Sequence, residues 1–457
     1  MSRLRLASAA LCLLLAVPAL AQEQIEVFTL TDGAQTRMLN VDATVRGFGD
    51  LLAATPLTHV PTDLLNNAVA VAGGRYVAWL AGSVTHPGQD LFLFDRRTRT
   101  VRTATSALPP RSASARYQFF QLAGADTHRP RVFITEIRDE PTAPSGPSYH
   151  VWTIDLTGRA PVQLTALFSS PRDLGYAAET DEIFINDPGA TLDTRTRMLV
   201  LNATTGAEVR RFTHPLVSYG ALTEPGGRVV WVNDGYGMNT LDARTGAVLA
   251  TSPFFQTTSS TYDPARGVLL VRQSDFLVVV DPLRLTEIGR ARVSFTTLSG
   301  LSESSDTLLG RWMTGAYVLR SSYRYGNTTC NEISLDALDV TGARRATADL
   351  LARLGPGGSG FCSARGFLFR SPFAPSALTS SVSGRTVQLS WKDPGDTTEF
   401  ELEFGFAPGQ RAGAIRVGTA TSLTLPGVPP GTYYVRVKAL NEVGPSPAST
   451  EVRVVVP

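Results

Sequence analysis

Five histidines, His59, His86, His128, His150 and His214, are the side chains best suited to bind a metal or move a proton near neutral pH, but they are scattered along the chain. His150 falls in a strand-like run, and His86 and His214 each precede a proline. Carboxylates offer a second chemistry. Asp139-Glu140, and Asp187 with Asp193, sit in polar stretches; carboxylates that converge shift each other's pKa, which suits acid/base work or calcium. Asp139-Glu140 also reads simply as a turn ahead of the proline-rich run from Pro141 to Pro147. A third chemistry is recognition. Residues 314–332 interleave Tyr317, Tyr323 and Tyr325 with Arg320 and Arg324, and aromatic platforms beside guanidinium forks suit a sugar or a peptide. The alternative for this stretch is a solvated insertion. The chain has no HExxH, GxSxG or Walker loop. No residue is therefore assigned a catalytic or metal-binding role, and no cofactor is expected.

Composition narrows the partners. A formal net charge of +2 over 457 residues provides no field for nucleic acid or an anionic membrane. Lysine occurs only at Lys392 and Lys438, so arginine carries the positive charge, the usage of a GC-rich, bacterial genome. Arg3 and Arg5, the apolar run Leu6 to Val17 and Ala19-Leu20-Ala21 read as a signal peptide over residues 1–21, too short an apolar run to span a bilayer. Leu11 before Cys12 argues against a lipoprotein-type site. A secreted or periplasmic monomer with no membrane span is expected, beginning near Gln22. It would keep two cysteines, Cys330 and Cys362, which in an oxidising compartment form one disulfide or, alternatively, stay as buried thiols.

The elements that must position these residues are short strands in repeating units. His214–Ser252 is the clearest unit, with strands at Leu216–Leu222, Arg228–Asn233, Gly237–Asp242 and Ala247–Ser252. Gly and Asn/Asp at the intervening turns supply the positive φ that tight hairpins need. Similar units begin near Asn66, Ala115, Arg172, Gln256 and Phe295, the last with strands at Phe295–Leu301 and Thr307–Met313. Each third strand ends in Asp95, Asp155, Asn202, Asp242, Asp281 or Asp339. These could form a ring of ligands, but one acidic or amide residue at the same turn in every copy fits an Asx turn better. A seventh unit is incomplete: Gly360–Ser363 and Gly366–Arg370 supply two strands, and Ile25–Thr31 with Gln35–Val41 could supply the other two.

This pattern resembles a seven-bladed β-propeller of the YVTN/quinoprotein-like kind, closed by strands from both termini and covering residues 22–371. The resemblance implies ligand binding where loops joining second and third strands rise over a central funnel. In this chain it would bring His86, Asp90, Asp139, Glu140, Asp187, Arg320, Tyr323, Arg324 and Tyr325 to that side. The sialidase aspartate box is missing. Asp242-Ala243-Arg244-Thr245-Gly246 echoes the quinoprotein turn without its tryptophan, so a quinone is not expected.

From residue 374 to 457 the repeat stops. Val387, Leu389 and Trp391 alternate on one strand, Phe400, Leu402 and Phe404 on the next, and Tyr433, Val435, Val437 and Ala439 on a third. With Trp391, Leu425 and Tyr433 at its core positions, this stretch resembles a fibronectin type III domain, which implies a β-sandwich and nothing catalytic. The reading is an all-β, exported, non-catalytic interaction protein for a protein or glycan ligand. The alternative is an extracellular carbohydrate-active or lactone-hydrolysing enzyme with an accessory domain, since such sites are assembled from dispersed loops.

Overall fold

A computed structural model describes the chain from Glu23 to Pro457 outside residues 32–35, 44–47, 58–67, 72–73, 83–88, 111, 114, 116, 127–128, 140–146, 168–173, 188–195, 215, 217–220, 225, 234–236, 253–256, 264–266, 274–275, 293–302, 313–314, 325–328, 340–343, 354–361 and 395–396. The fold is all-β, a set of separate antiparallel sheets, none closed into a barrel. Among the described residues helix is limited to Thr105–Ala107 and Leu350–Arg353, and no helix is long and apolar enough to cross a membrane.

Up to Arg370 the described residues form seven sheets of four strands each. The first is mixed in origin: Cys362–Arg370 pairs with Glu23–Thr31, followed by Thr36–Asp42 and Leu51–Leu57. The second uses Ala68–Val71, Tyr76–Gly82, Gln89–Asp95 and Thr100–Thr103; the third uses Tyr117–Ala125, Arg131–Asp139, Ser148–Asp155 and Val162–Leu167. The fourth comprises Gly175–Ala177, Glu182–Asp187, Thr196–Asn202 and Glu208–His214, and the fifth Leu222–Thr223, Val229–Asn233, Met238–Asp242 and Val248–Ser252. Thr257–Asp263, Val268–Gln273, Phe276–Val280 and Glu287–Arg292 build the sixth; Glu303–Trp312, Gly315–Arg324, Thr329–Asp339 and Arg344–Asp349 build the seventh.

Alternation explains how the sheets stack. In Gln89–Asp95 successive residues point to opposite faces, so Phe92 and Phe94 pack toward the first sheet and Leu91 and Leu93 toward the third. A strand covered on both faces must be apolar throughout, as Leu91–Phe94 is. The same device repeats. Phe133 and Val151 meet Ile183 and Leu199, Phe184 and Met198 meet Val230 and Leu241, and Trp231 meets Leu269 and Val278. Strands of the sixth sheet lie beside Glu303–Trp312 of the seventh. Leu319, Ile333 and Leu335 of the seventh then pack on Ile25, Val27 and Leu39 of the first. The succession therefore returns to its start, and each fully buried Leu, Phe or Val adds about 1.5–3 kcal/mol.

Two expectations are corrected. The closing sheet takes three strands from the N-terminal end and one from the C-terminal end, not two from each. Gly360–Ser363 and Gly366–Arg370 were expected as separate strands, but Cys362–Arg370 is a single strand because all nine of its residues pair with Glu23–Thr31. In the seventh sheet the first two strands are Glu303–Trp312 and Gly315–Arg324; the expected Thr307–Met313 falls in the first of them and not the second, and the expected Phe295–Leu301 lies outside the described residues. The polar run Ser302–Asp306 reads as a turn, yet Glu303 to Asp306 pair in register with Tyr323 to Arg320.

Beyond Arg370 lie two further sheets. Ser376–Ser383, Thr386–Lys392 and Ser422–Leu425 form one; Gly413–Gly418, Glu399–Gly405, Gly431–Leu440 and Val452–Val456 form the other. Val387, Leu389, Trp391, Phe400, Leu402, Val435, Val437 and Ala439 share one core, with Trp391 edge-on to Phe400. The Tyr433 hydroxyl donates to the Pro429 carbonyl at 2.9 Å.

Candidate functional site

The residues ending each third strand build turns. Asp95 Oδ1 accepts from the amides of Arg97 and Thr98, Asn202 Oδ1 from Thr204 and Thr205, Asp242 Oδ1 from Arg244 and Thr245, and Asp281 Oδ1 from Leu283 and Arg284. Asp155 does the same for Thr157. The carboxylate of Asp242 is lowered by the Thr245 hydroxyl and amide. Four of these turns also offer a carbonyl to the preceding sheet: Leu156 accepts from Arg102, Ala203 from Thr153, Ala243 from Arg210, and Pro282 from Trp231 and Thr240. These residues serve folding, and their spacing around the array is that of a repeated lock.

Buried charge is also placed at seams. Glu26, fully buried in the first sheet, accepts from Arg96 at 3.1 Å and from Arg99 at 2.8 Å, both on the second. Burial draws the Arg96 guanidinium below its usual range, against the opposing charge of Glu26. Between the third and fourth sheets Arg131 donates to Asp126 at 2.7 Å, to the Tyr176 hydroxyl at 2.8 Å, and to Asp181. Burial and the charge of Asp126 push the Tyr176 hydroxyl well above the ordinary tyrosine range. Burial acts to raise Asp181, but hydrogen bonds from Arg131 and Thr204 leave it below the usual carboxylate range.

The richest polar cluster lies on one face of the third sheet. Register sets Glu136 opposite His150 and Arg138 opposite both Ser148 and Gln118, so alternation puts these side chains and Trp152 on one face. Glu136 is fully buried and accepts from Arg138 Nε at 2.8 Å, Arg138 Nη2 at 3.0 Å, Trp152 Nε1 at 2.8 Å, and Gln118. The Gln163 amide nitrogen meets His150 Nδ1 at 3.3 Å, and His150 Nε2 meets Ser148 Oγ at 3.0 Å. Ser148 Oγ in turn donates to the Arg138 carbonyl at 3.4 Å. Ser148, His150 and Gln163 thus form a chain of hydrogen bonds beside the buried Glu136. Sequence reasoning missed Gln118, Glu136, Arg138, Ser148 and Trp152. The available signal was Glu136 and Arg138 flanking Ile137 after the apolar run Val132–Ile134 of the same strand.

The expected site residues come from several sheets, as their different repeat units require. Asp139 ends the strand Arg131–Asp139, half-buried and opposite Tyr117. Asp187 ends Glu182–Asp187, where it is buried and accepts from Arg197 at 2.6 Å. Arg320, Tyr323 and Arg324 stand within the strand Gly315–Arg324, opposite Ser334, Cys330 and Thr329, and not in a long loop. His86, Glu140 and Tyr325 lie outside the described residues, as do His59, His128 and the segment 1–21. Asp139, Asp187 and Arg320 thus belong to three different sheets. Among the described residues no three His, Cys, Asp or Glu side chains gather as a metal site. The Cys330–Cys362 disulfide is not supported. Cys330 lies opposite Tyr323 in the seventh sheet, Cys362 opposite Thr31 in the first, and no cysteine is near another.

His214, one of the five histidines singled out in the sequence, is a second buried polar feature. It is 1% exposed, its Nε2 donates to Asn186 Oδ1 at 2.9 Å, and Nδ1 has no partner among the described residues. Burial pulls its pKa down to about 4, so the ring is neutral.

No protein-family model matches this chain, and no curated protein does. Solved structures are similar in part. An Fn3-like protein from Clostridium thermocellum is 24% identical over 19% of this chain and 94% of its own, with a TM-score of 0.18. The sixth fibronectin type III domain of human fibronectin type III domain containing protein 3 is 32% identical over 19% of this chain and 86% of its own, with a TM-score of 0.17. BamB from Moraxella catarrhalis is 12% identical over 80% of this chain and 89% of its own, with a TM-score of 0.36. None of these overlaps assigns the chain to a family.

Proposed function

We propose that this is an exported, non-catalytic binding protein: a seven-bladed β-propeller over residues 22–371 that presents a protein or glycan ligand site, followed by a fibronectin type III domain over residues 374–457. The propeller reading is supported by seven four-stranded sheets whose seams return from the seventh to the first. The domain reading is supported by the Trp391 core and the Tyr433 hydroxyl bonded back to Pro429. The binding face is the end of the sheets reached by second-to-third-strand connections, where His86, Asp139, Glu140, Asp187, Arg320, Tyr323, Arg324 and Tyr325 were sought in the sequence. Export follows from the leader-like residues 1–21.

The observation that supports binding is the polar cluster on the third sheet, in which the buried carboxylate of Glu136 is taken up by Arg138, Trp152 and Gln118 beside the Ser148–His150–Gln163 chain. The test is a thermal-shift screen of the mature protein against oligosaccharides, peptides, divalent metals and a chelator. A ligand at about 100 times its Kd adds roughly 2.7 kcal/mol. A shift with one glycan or peptide class, lost in Arg138→Ala, is the expected result. Turnover of a glycoside or lactone by the purified protein would overturn the reading.

A further inference from the structure

The two sheets beyond Arg370 do not hang free of the seven. Val443, on the turn after Gly431–Leu440, is 6% exposed and belongs to the core cluster of Phe367, Phe369, Trp79 and Phe94 at the seam of the first and second sheets. Its methyl carbon comes to 3.4 Å from where a Cβ on Gly74 would stand, and Gly74 holds a φ of +77° in the second sheet's first turn. The connecting residues are also covered: Ser371 is 1% exposed, and Pro372 and Pro375 are buried.

Charge at this seam is unbalanced without the C-terminal residues. Among the described residues, Arg75, Arg96 and Arg99 pair with two carboxylates of the array, Asp95 and Glu26. Glu442 brings the third, at 3.9 Å from Arg75. Arg96 itself lies 3.8 Å over the ring of Phe369, which holds the guanidinium at the seam. A second contact, Lys392 to Glu179 at 3.5 Å, reaches the first turn of the fourth sheet. That exposed pair is weak by itself. Its value is geometric, because it shows the domain extending from the second sheet's first turn to the fourth's.

We propose that the C-terminal domain is a docked cap, seated by Val443 and Glu442 across the first turns of the second to fourth sheets, and that the array end bearing those turns is closed to ligands. The inference stands on these contacts and holds whatever ligand the array takes. A domain that merely spaces the array from something else needs neither the buried valine nor the matched carboxylate.

The test is hydrogen exchange at the Gly74, Arg75 and Tyr76 amides in the full mature chain, with calorimetry alongside. Val443→Asp puts a charge in an apolar seat, and should raise exchange there about tenfold or more and split off a separate transition for the C-terminal domain. Glu442→Gln leaves the valine in place, covering the case in which the first variant fails to fold. It should raise exchange at the same amides less, and high salt should bring the wild type to the same level. Wild-type exchange rates in both variants, or two independent transitions in the wild type, would overturn the proposal.

Discussion

Arg131 holds two carboxylates from neighbouring sheets, and its energetic meaning follows from what its removal leaves. Asp126 is fully buried, so Arg131→Met would strand a charge out of water and should cost about 3–5 kcal/mol in urea unfolding. Adding Asp126→Asn should recover part of that loss, since the stranded charge is gone; an equal loss in single and double variants would contradict the assignment. His214 makes a pH prediction with a definite sign. Its folded pKa of about 4 lies below the unfolded value of about 6.5, so the unfolded chain binds the extra proton. Stability from this group is complete above about pH 6.5 and is lost as pH falls toward 4, by about 3 kcal/mol at most. Denaturant midpoints between pH 7 and 4 should fall more steeply in the wild type than in His214→Gln, which keeps a donor for Asn186. None of these roles was legible in the sequence, because burial and partners are decided by which sheets stack.

Turns were the most legible elements. An Asp or Asn at the end of a third strand encodes a local turn that needs no tertiary information, and five such turns form as expected, three of them with Thr-Gly. Gly246 shows why its position needs glycine: φ is +74°, and a Cβ would stand 2.5 Å from Phe212 Cδ2. Gly158 has φ +101° with nothing within 4 Å of a Cβ. Both alanine variants bear backbone strain of about 1 kcal/mol or more, but Gly246→Ala should lower the melting temperature further, because only it displaces a packed ring. Equal losses would mean that Phe212 yields freely. Leu285 and Arg99 take the same positive φ without being glycine, which is why glycine spacing alone marks only some of the turns. The seventh sheet misled the reading for the opposite reason. Its first strand opens with Glu303, Ser304, Ser305 and Asp306, and local polarity spoke for a turn where long-range pairing with Ser321 to Tyr323 makes a strand.

On the scale of the whole molecule, repetition was visible in the sequence and closure was only half visible. Strand composition showed that both ends carry pairable segments, but the split of three strands to one depends on register between Glu23–Thr31 and Cys362–Arg370, over three hundred residues apart in sequence. The same distance hid the fate of Val443, whose position on a turn spoke for exposure. If that closing strand completes the array, a mature chain ending at Ser371 should fold, with a melting temperature below that of the full chain because the seat of Val443 is uncovered. The most direct measurement compares that chain with one ending at Phe361 by thermal unfolding. The chain ending at Ser371 should melt cooperatively. The one ending at Phe361 should lose cooperative melting and aggregate through the exposed edge of Glu23–Thr31. Matching cooperative transitions in the two would contradict a closed array and the binding face built on it.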